Sequence, residues 1–135
     1  MNVIIFGPPG AGKGTQANNI VKKFNLYQVS TGDLLRKEVK NQTEIGKDIE
    51  NIISKGDLAT DEIVNELIRN IVFDPIKKNK LIFDGYPRSL SQAENLEVLL
   101  SNSNQKIDFI FFFRCKKRNN NSKIREKKNF RKKIR

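Results

Sequence analysis

Nine residues near the start of the chain have types and spacing that could bind phosphate. Gly7-Pro8-Pro9-Gly10-Ala11-Gly12-Lys13-Gly14-Thr15 brings four glycines, a lysine and a hydroxyl into one short turn. A polyphosphate needs many N–H donors converging on a small volume, and glycines let the backbone turn with no Cβ in the way. A helix starting at this point adds its unpaired N–H groups and the positive end of its dipole. Lys13 can then reach the outer phosphates as a mobile point charge. Gly10, Ala11, Gly12, Lys13, Gly14 and Thr15 are therefore candidate phosphate binders. The hydroxyl comes one position later than in the generic phosphate-loop pattern, because Gly14 directly follows the lysine.

Such a loop works only between a strand and a helix, and the flanking pattern supplies both. Val3–Phe6 reads as a buried strand, and a helix runs from the loop to about Phe24. Tyr27–Ser30 is a second strand, followed by helices at about 33–40 and 45–54. Gly56 breaks the chain. Thr60 then caps a helix whose first turn carries Asp61 and Glu62, complementing its dipole. Ile63, Val64, Leu67, Ile68 and Ile71 give that helix one apolar face. Leu81–Phe83 is a third strand, closed by Asp84-Gly85-Tyr86-Pro87. The helix at about 91–100 turns Ala93, Leu96, Leu99 and Leu100 inward. Phe109–Phe113 is a fourth strand, apolar throughout. Continuous apolar strands separated by helices predict a parallel sheet covered on both faces, an α/β fold.

Composition narrows the function classes. With 37% hydrophobic and 30% charged residues the chain reads as soluble and globular. No run of about 18 apolar residues would span a membrane, and the N-terminus enters a strand directly, so no signal peptide is expected. One cysteine, Cys115, and no histidine exclude an internal disulfide and argue against zinc. The net charge of +11 is localised. Residues 1–113 hold fourteen basic and fourteen acidic side chains, whereas 114–135 hold twelve basic residues and Glu126 alone. The body is neutral, so the charge says nothing about what the folded part binds.

Three segments together resemble a known family. Gly7–Thr15 with its shifted hydroxyl, Ser30-Thr31-Gly32-Asp33-Leu34-Leu35-Arg36 and Asp84-Gly85-Tyr86-Pro87-Arg88 closely resemble the signature segments of adenylate kinases. The likeness runs from Met1 to about Phe113. It implies a P-loop NTPase-type doubly wound parallel sheet with a helical AMP-binding arm at about 30–59. The implied activity is reversible phosphoryl transfer from ATP to AMP, giving two ADP. On the same resemblance Gly10–Thr15 hold the ATP phosphates. Thr31 lies near the adenine and Arg36 on the AMP phosphate, while Asp57, Leu58 and Ala59 contact AMP. Gly85, Tyr86, Pro87 and Arg88 also face AMP, Arg88 on its phosphate, and Gln92 bonds the adenine edge. Thr31 between Ser30 and Gly32 favours AMP over pyrimidine nucleotides.

The chemistry supports these placements. Phosphoryl transfer leaves the protein little covalent work, so catalysis is alignment and charge stabilisation. Two anionic phosphates must meet, and Lys13, Arg36 and Arg88 supply cations on both sides. Asp33 and Asp84 stand beyond strand ends, where a doubly wound sheet opens its crevice. There they could orient waters on Mg²⁺, the expected cofactor with ATP. Lys13, Arg88, Asp84 and Asp33 form the expected catalytic set, with no direct metal ligand. Each also has a plainer reading: Asp33 as a helix N-terminal acid, Arg36 as a solvated helix residue, Asp84-Gly85 as a turn.

A complete family member continues past the fourth strand with a lid, a fifth strand and a last helix. None is recognisable here, so the fold is expected to be incomplete at the C-terminus, with residues 114–135 a basic, disordered tail. A shifted reading frame or truncated gene would explain the abrupt change. Nucleotide affinity is then expected to persist with phosphotransfer strongly reduced, which leaves a catalytically impaired nucleotide-binding module as the alternative. The chain is expected to be a cytoplasmic monomer. Nucleic-acid binding through the tail is disfavoured, because no aromatic–basic alternation accompanies its charge.

Overall fold

The computed structural model describes residues 1–8 and 10–115. In chain order the elements are β1 (Val3–Phe6), α1 (Lys13–Phe24), β2 (Tyr27–Ser30), α2 (Thr31–Lys40), α3 (Glu44–Ser54), α4 (Asp61–Val72), β3 (Leu81–Asp84), α5 (Leu90–Asn102) and β4 (Phe109–Phe112). The α/β class and the four expected strands are present. The strands form one parallel sheet in the order β2-β3-β1-β4.

Alternation along the central strands divides the core between two faces. Ile4, Val29, Leu81 and Phe83 pack with Val64, Ile68 and Val72 of α4 and with Leu96, Leu99 and Leu100 of α5. Val3, Ile5 and Ile82 point the other way, onto Ala17 of α1 and Leu26. Strands covered on both sides have no polar face, which is why β1 and β3 read as unbroken apolar runs. Ala93, expected inward, is only half-buried.

Local chemistry starts most of the helices. Ser30, Thr43, Thr60 and Ser89 each accept a hydrogen bond from the backbone N–H three residues on, capping α2, α3, α4 and α5. α2 therefore begins at Thr31 and includes Gly32 and Asp33 in its first turn. α3 folds back on α2 through a close approach at Gly46. A Cβ there would lie 2.1 Å from the carbonyl oxygen of Glu38, so any side chain would force the two helices apart.

Strand order fixes where a ligand can enter. The path from β1 passes β3 to reach β2, and the path from β3 passes β1 to reach β4. The two crossovers leave in opposite directions, so a crevice opens beyond the C-terminal ends of β1 and β3. Gly7 follows β1 and Asp84 ends β3, which brings two of the three signature segments to that crevice. Asp84 is also in register with Ser30 at the end of β2, where the remaining segment begins.

β4 departs from the expectation of a fully covered sheet. Phe109 is 52% exposed and Phe112 71%. Among the described residues β4 pairs with β1 alone, and a strand's burial depends on its neighbours rather than on its own apolarity. Phe113 stands just past β4, and its N–H donates to the Phe6 carbonyl at 2.8 Å. The expected tail lies outside the described residues from 116 onward. Among the described residues no helix is long and apolar enough to cross a membrane.

Candidate functional site

The phosphate loop is built by conformation more than by contact. Gly10 and Gly12 have φ of +80° and +79°, left-handed values that a Cβ would strain, and nothing crowds either position. The Ala11 N–H donates to the Pro8 carbonyl at 3.3 Å, closing a turn. Pro9 lies outside the described residues. Gly12 is the N-cap of α1 and offers no side-chain cap, and the first turn carries no acid. The N–H groups and positive dipole end of α1 thus carry no acidic side chain from their own first turn, as an anion site requires. Gly14 and Thr15 are exposed in the first turn.

Lys13 crosses the crevice to Asp84. Its Nζ forms an ion pair with Asp84 Oδ1, and the two side chains are 24% and 14% exposed. Gln28 Nε2 donates to the other carboxylate oxygen at 3.2 Å. This link between the loop after β1 and the end of β3 joins two expected catalytic residues. Gln28 was not anticipated; its only sequence signal is its place two residues before Ser30 in β2.

Arg36, the second expected cation, pairs with the expected acid Asp33. Arg36 bonds Asp33 across one turn of α2, and both side chains are more than two-thirds exposed, 73% and 71%. The guanidinium hydrogen bond holds the Asp33 carboxyl below its ordinary value of 3.8. Among the described residues no hydrogen bond joins Asp33 to Asp84 or Lys13. Thr31 is buried, and its hydroxyl donates to the Gly85 carbonyl at 3.5 Å, tying the start of α2 to the turn after β3.

That turn carries the remaining residues. Gly85 has φ +77°, and a Cβ on it would lie 2.9 Å from the Arg88 guanidinium. Arg88 is exposed, and its Nε donates to the Gly85 carbonyl at 2.6 Å, folding the side chain over the turn. Tyr86 lies elsewhere than a ligand-facing residue would. Its ring is fully buried, tilted against Phe83. The Tyr86 hydroxyl contacts Asn65 Oδ1 at 2.9 Å and accepts from Asn95 Nδ2 at 3.3 Å. Burial pushes the phenol upward, the Asn95 hydrogen bond opposes it, and the charge of Asp61 adds to the rise. Pro87 follows in cis, half-buried.

Gln92, in the first turn of α5, is also buried. Its Oε1 accepts from the Arg88 N–H at 2.7 Å, and its Nε2 donates to Asp61 Oδ1 at 2.6 Å. Asp57 and Leu58 are exposed beyond α3, Leu58 at 89%, and Ala59 packs at the border of the core. Among the described residues no cluster of three Asp, Glu, His or Cys side chains could hold a metal directly.

The arrangement can therefore bind an anion at the start of α1, hold a lysine and a carboxylate across the crevice, and present two exposed arginines from neighbouring segments. The model of the family described as adenylate kinase matches residues 5–134. An adenylate kinase of Pelagibacter ubique is 57% identical over 112 residues, covering 83% of this chain and 53% of that protein. One from Mycoplasma capricolum is 46% identical over 112 residues, with 83% and 52% covered. One from Bacteroides fragilis is 47% identical over 108 residues, with 79% and 57% covered. The chain spans about half the length of the curated relatives it matches. A family match over nearly the whole sequence, on a sheet that brings all three signature segments to one crevice, makes this chain a member of the adenylate kinase family.

Proposed function

We propose that the chain binds ATP at the loop from Gly10 to Thr15 and AMP across Thr31, Arg36, Asp57–Ala59, Gly85–Arg88 and Gln92, and that it serves reversible phosphoryl transfer between them in the cytoplasm. The Lys13–Asp84 bridge carries this reading, because it sets the loop's cation at the mouth of the crevice between β1 and β3. Polyphosphate entering there takes Lys13 away from Asp84 and onto its own oxygens. Arg36 and Arg88 are exposed, and among the described residues one carboxylate and one carbonyl hold them, so both can exchange those partners for an AMP phosphate. Residues 30–59 then act as the arm that carries AMP, with α2 and α3 joined at Gly46.

Mg²⁺ suits the donors present. Asp84 offers hard carboxylate oxygen at the crevice, suited to an ion that keeps much of its water. Asp84 would hold it through water, and it would supply charge neutralisation on the phosphates. Asp33, engaged by Arg36, becomes available for this work only after Arg36 moves.

A coupled assay of ADP production from ATP and AMP tests the proposal. Turnover that disappears in Lys13→Ala supports it. Binding of both nucleotides without turnover would identify the chain as a nucleotide-binding module instead.

A further inference from the structure

The amide of Gln92 is gripped at both ends. Its oxygen takes the Arg88 N–H, and its nitrogen gives one proton to Asp61, while the residue is 7% exposed. A primary amide has two N–H donors and two lone pairs. One donor and one acceptor therefore remain. The two partners also decide which way round the amide sits. Rotating it by half a turn would set NH₂ against the Arg88 N–H and the carbonyl oxygen against the Asp61 carboxylate. Both hydrogen bonds would become repulsions, one of them with a charged group.

We infer that Asp61 is a positioning residue that sets base specificity by locking the Gln92 amide in one orientation. This rests on the proposed placement of the AMP base at Gln92. A 6-aminopurine edge offers a ring-nitrogen acceptor beside an exocyclic N–H donor, which the remaining N–H and lone pair of Gln92 complement. A 6-oxopurine edge offers a ring N–H beside a carbonyl, the reverse order. To pair with it Gln92 would have to rotate, and Asp61 opposes the rotation. Asp61 comes from the first turn of α4 and Gln92 from the first turn of α5, so the lock also joins two helices that pack against the same face of the sheet.

Calorimetric titration of the full chain with AMP and with inosine monophosphate tests the inference. These two ligands differ only at the base edge. The unaltered chain is expected to favour AMP. In Asp61→Asn the new amide can turn to donate to a rotated Gln92, which removes the charged repulsion while the Arg88 N–H still opposes the rotation. The preference therefore falls by roughly threefold to tenfold, while Mg-ATP affinity stays unchanged. Equal weakening of both monophosphates, or an unchanged preference, overturns the inference but leaves the proposed function standing. No AMP binding by the unaltered chain overturns both. A measurement without substitution guards against a variant that fails to fold. The Gln92 side-chain N–H resonances of the unaltered chain should shift with AMP and keep their Asp61-bonded proton. Loss of that proton's protection on AMP binding counts against the lock.

Discussion

At the residue scale the site consists of charges held by temporary partners. Lys13 rests on Asp84, Arg36 on Asp33 and Arg88 on the Gly85 carbonyl. If Lys13 contacts the ATP phosphates as proposed, replacing it with Ala removes a charge-assisted contact, and Mg-ATP binding should weaken by roughly 10- to 100-fold, as read by calorimetry. Asp33 gives a pH-dependent signature. Its folded-state pKa lies below the ordinary 3.8, so its ion pair favours the fold above that pH and is lost as pH falls through the lowered value. In Arg36→Ala the Asp33 titration followed by NMR should move up toward 3.8. AMP should move it the same way if its phosphate draws Arg36 off. Asp33 and Arg36 stand three apart in one helix, a spacing at which opposite charges meet, yet their residue types alone suggested separate roles. The destinations of Tyr86 and Gln92 were not legible either. Their burial depends on α4 and α5 closing over the turn, and no local pattern carries that information.

At the element scale, strand and helix positions were largely legible because each carries its own period or cap. β1 and β3 are buried on both faces and read as apolar runs, and the hydroxyl caps mark the helix starts. β4 has the same kind of sequence and a different environment, so its exposure could not be read from its residues. Its exposed phenylalanines, and an outer edge that no other described strand pairs, favour association. Phe109→Lys should lower light scattering on concentration without shifting the thermal midpoint much, because Phe109 is half-exposed already. The joint between α2 and α3 makes the opposite prediction. Gly46→Ala forces a methyl into the Glu38 carbonyl and should cost about 1–3 kcal/mol, seen as a lower denaturation midpoint and weaker AMP binding.

At the scale of the whole molecule, one parallel sheet turns three separated segments into one crevice. The match to the family model continues to residue 134, while the alignments with the relatives named above cover 108 to 112 residues. The neutral body and the basic segment after Phe113 should act independently. Deleting residues 114–135 should leave nucleotide affinity unchanged, as read by calorimetry.

The central claim is that one crevice between β1 and β3 holds two nucleotides with their phosphates facing each other. It is tested most directly by titrating the chain with two adenosines joined by five phosphates. The account predicts one ligand per chain, bound more tightly than ATP or AMP alone, with the gain lost in Lys13→Ala. Binding no tighter than ATP alone, or indifferent to Lys13, would contradict it.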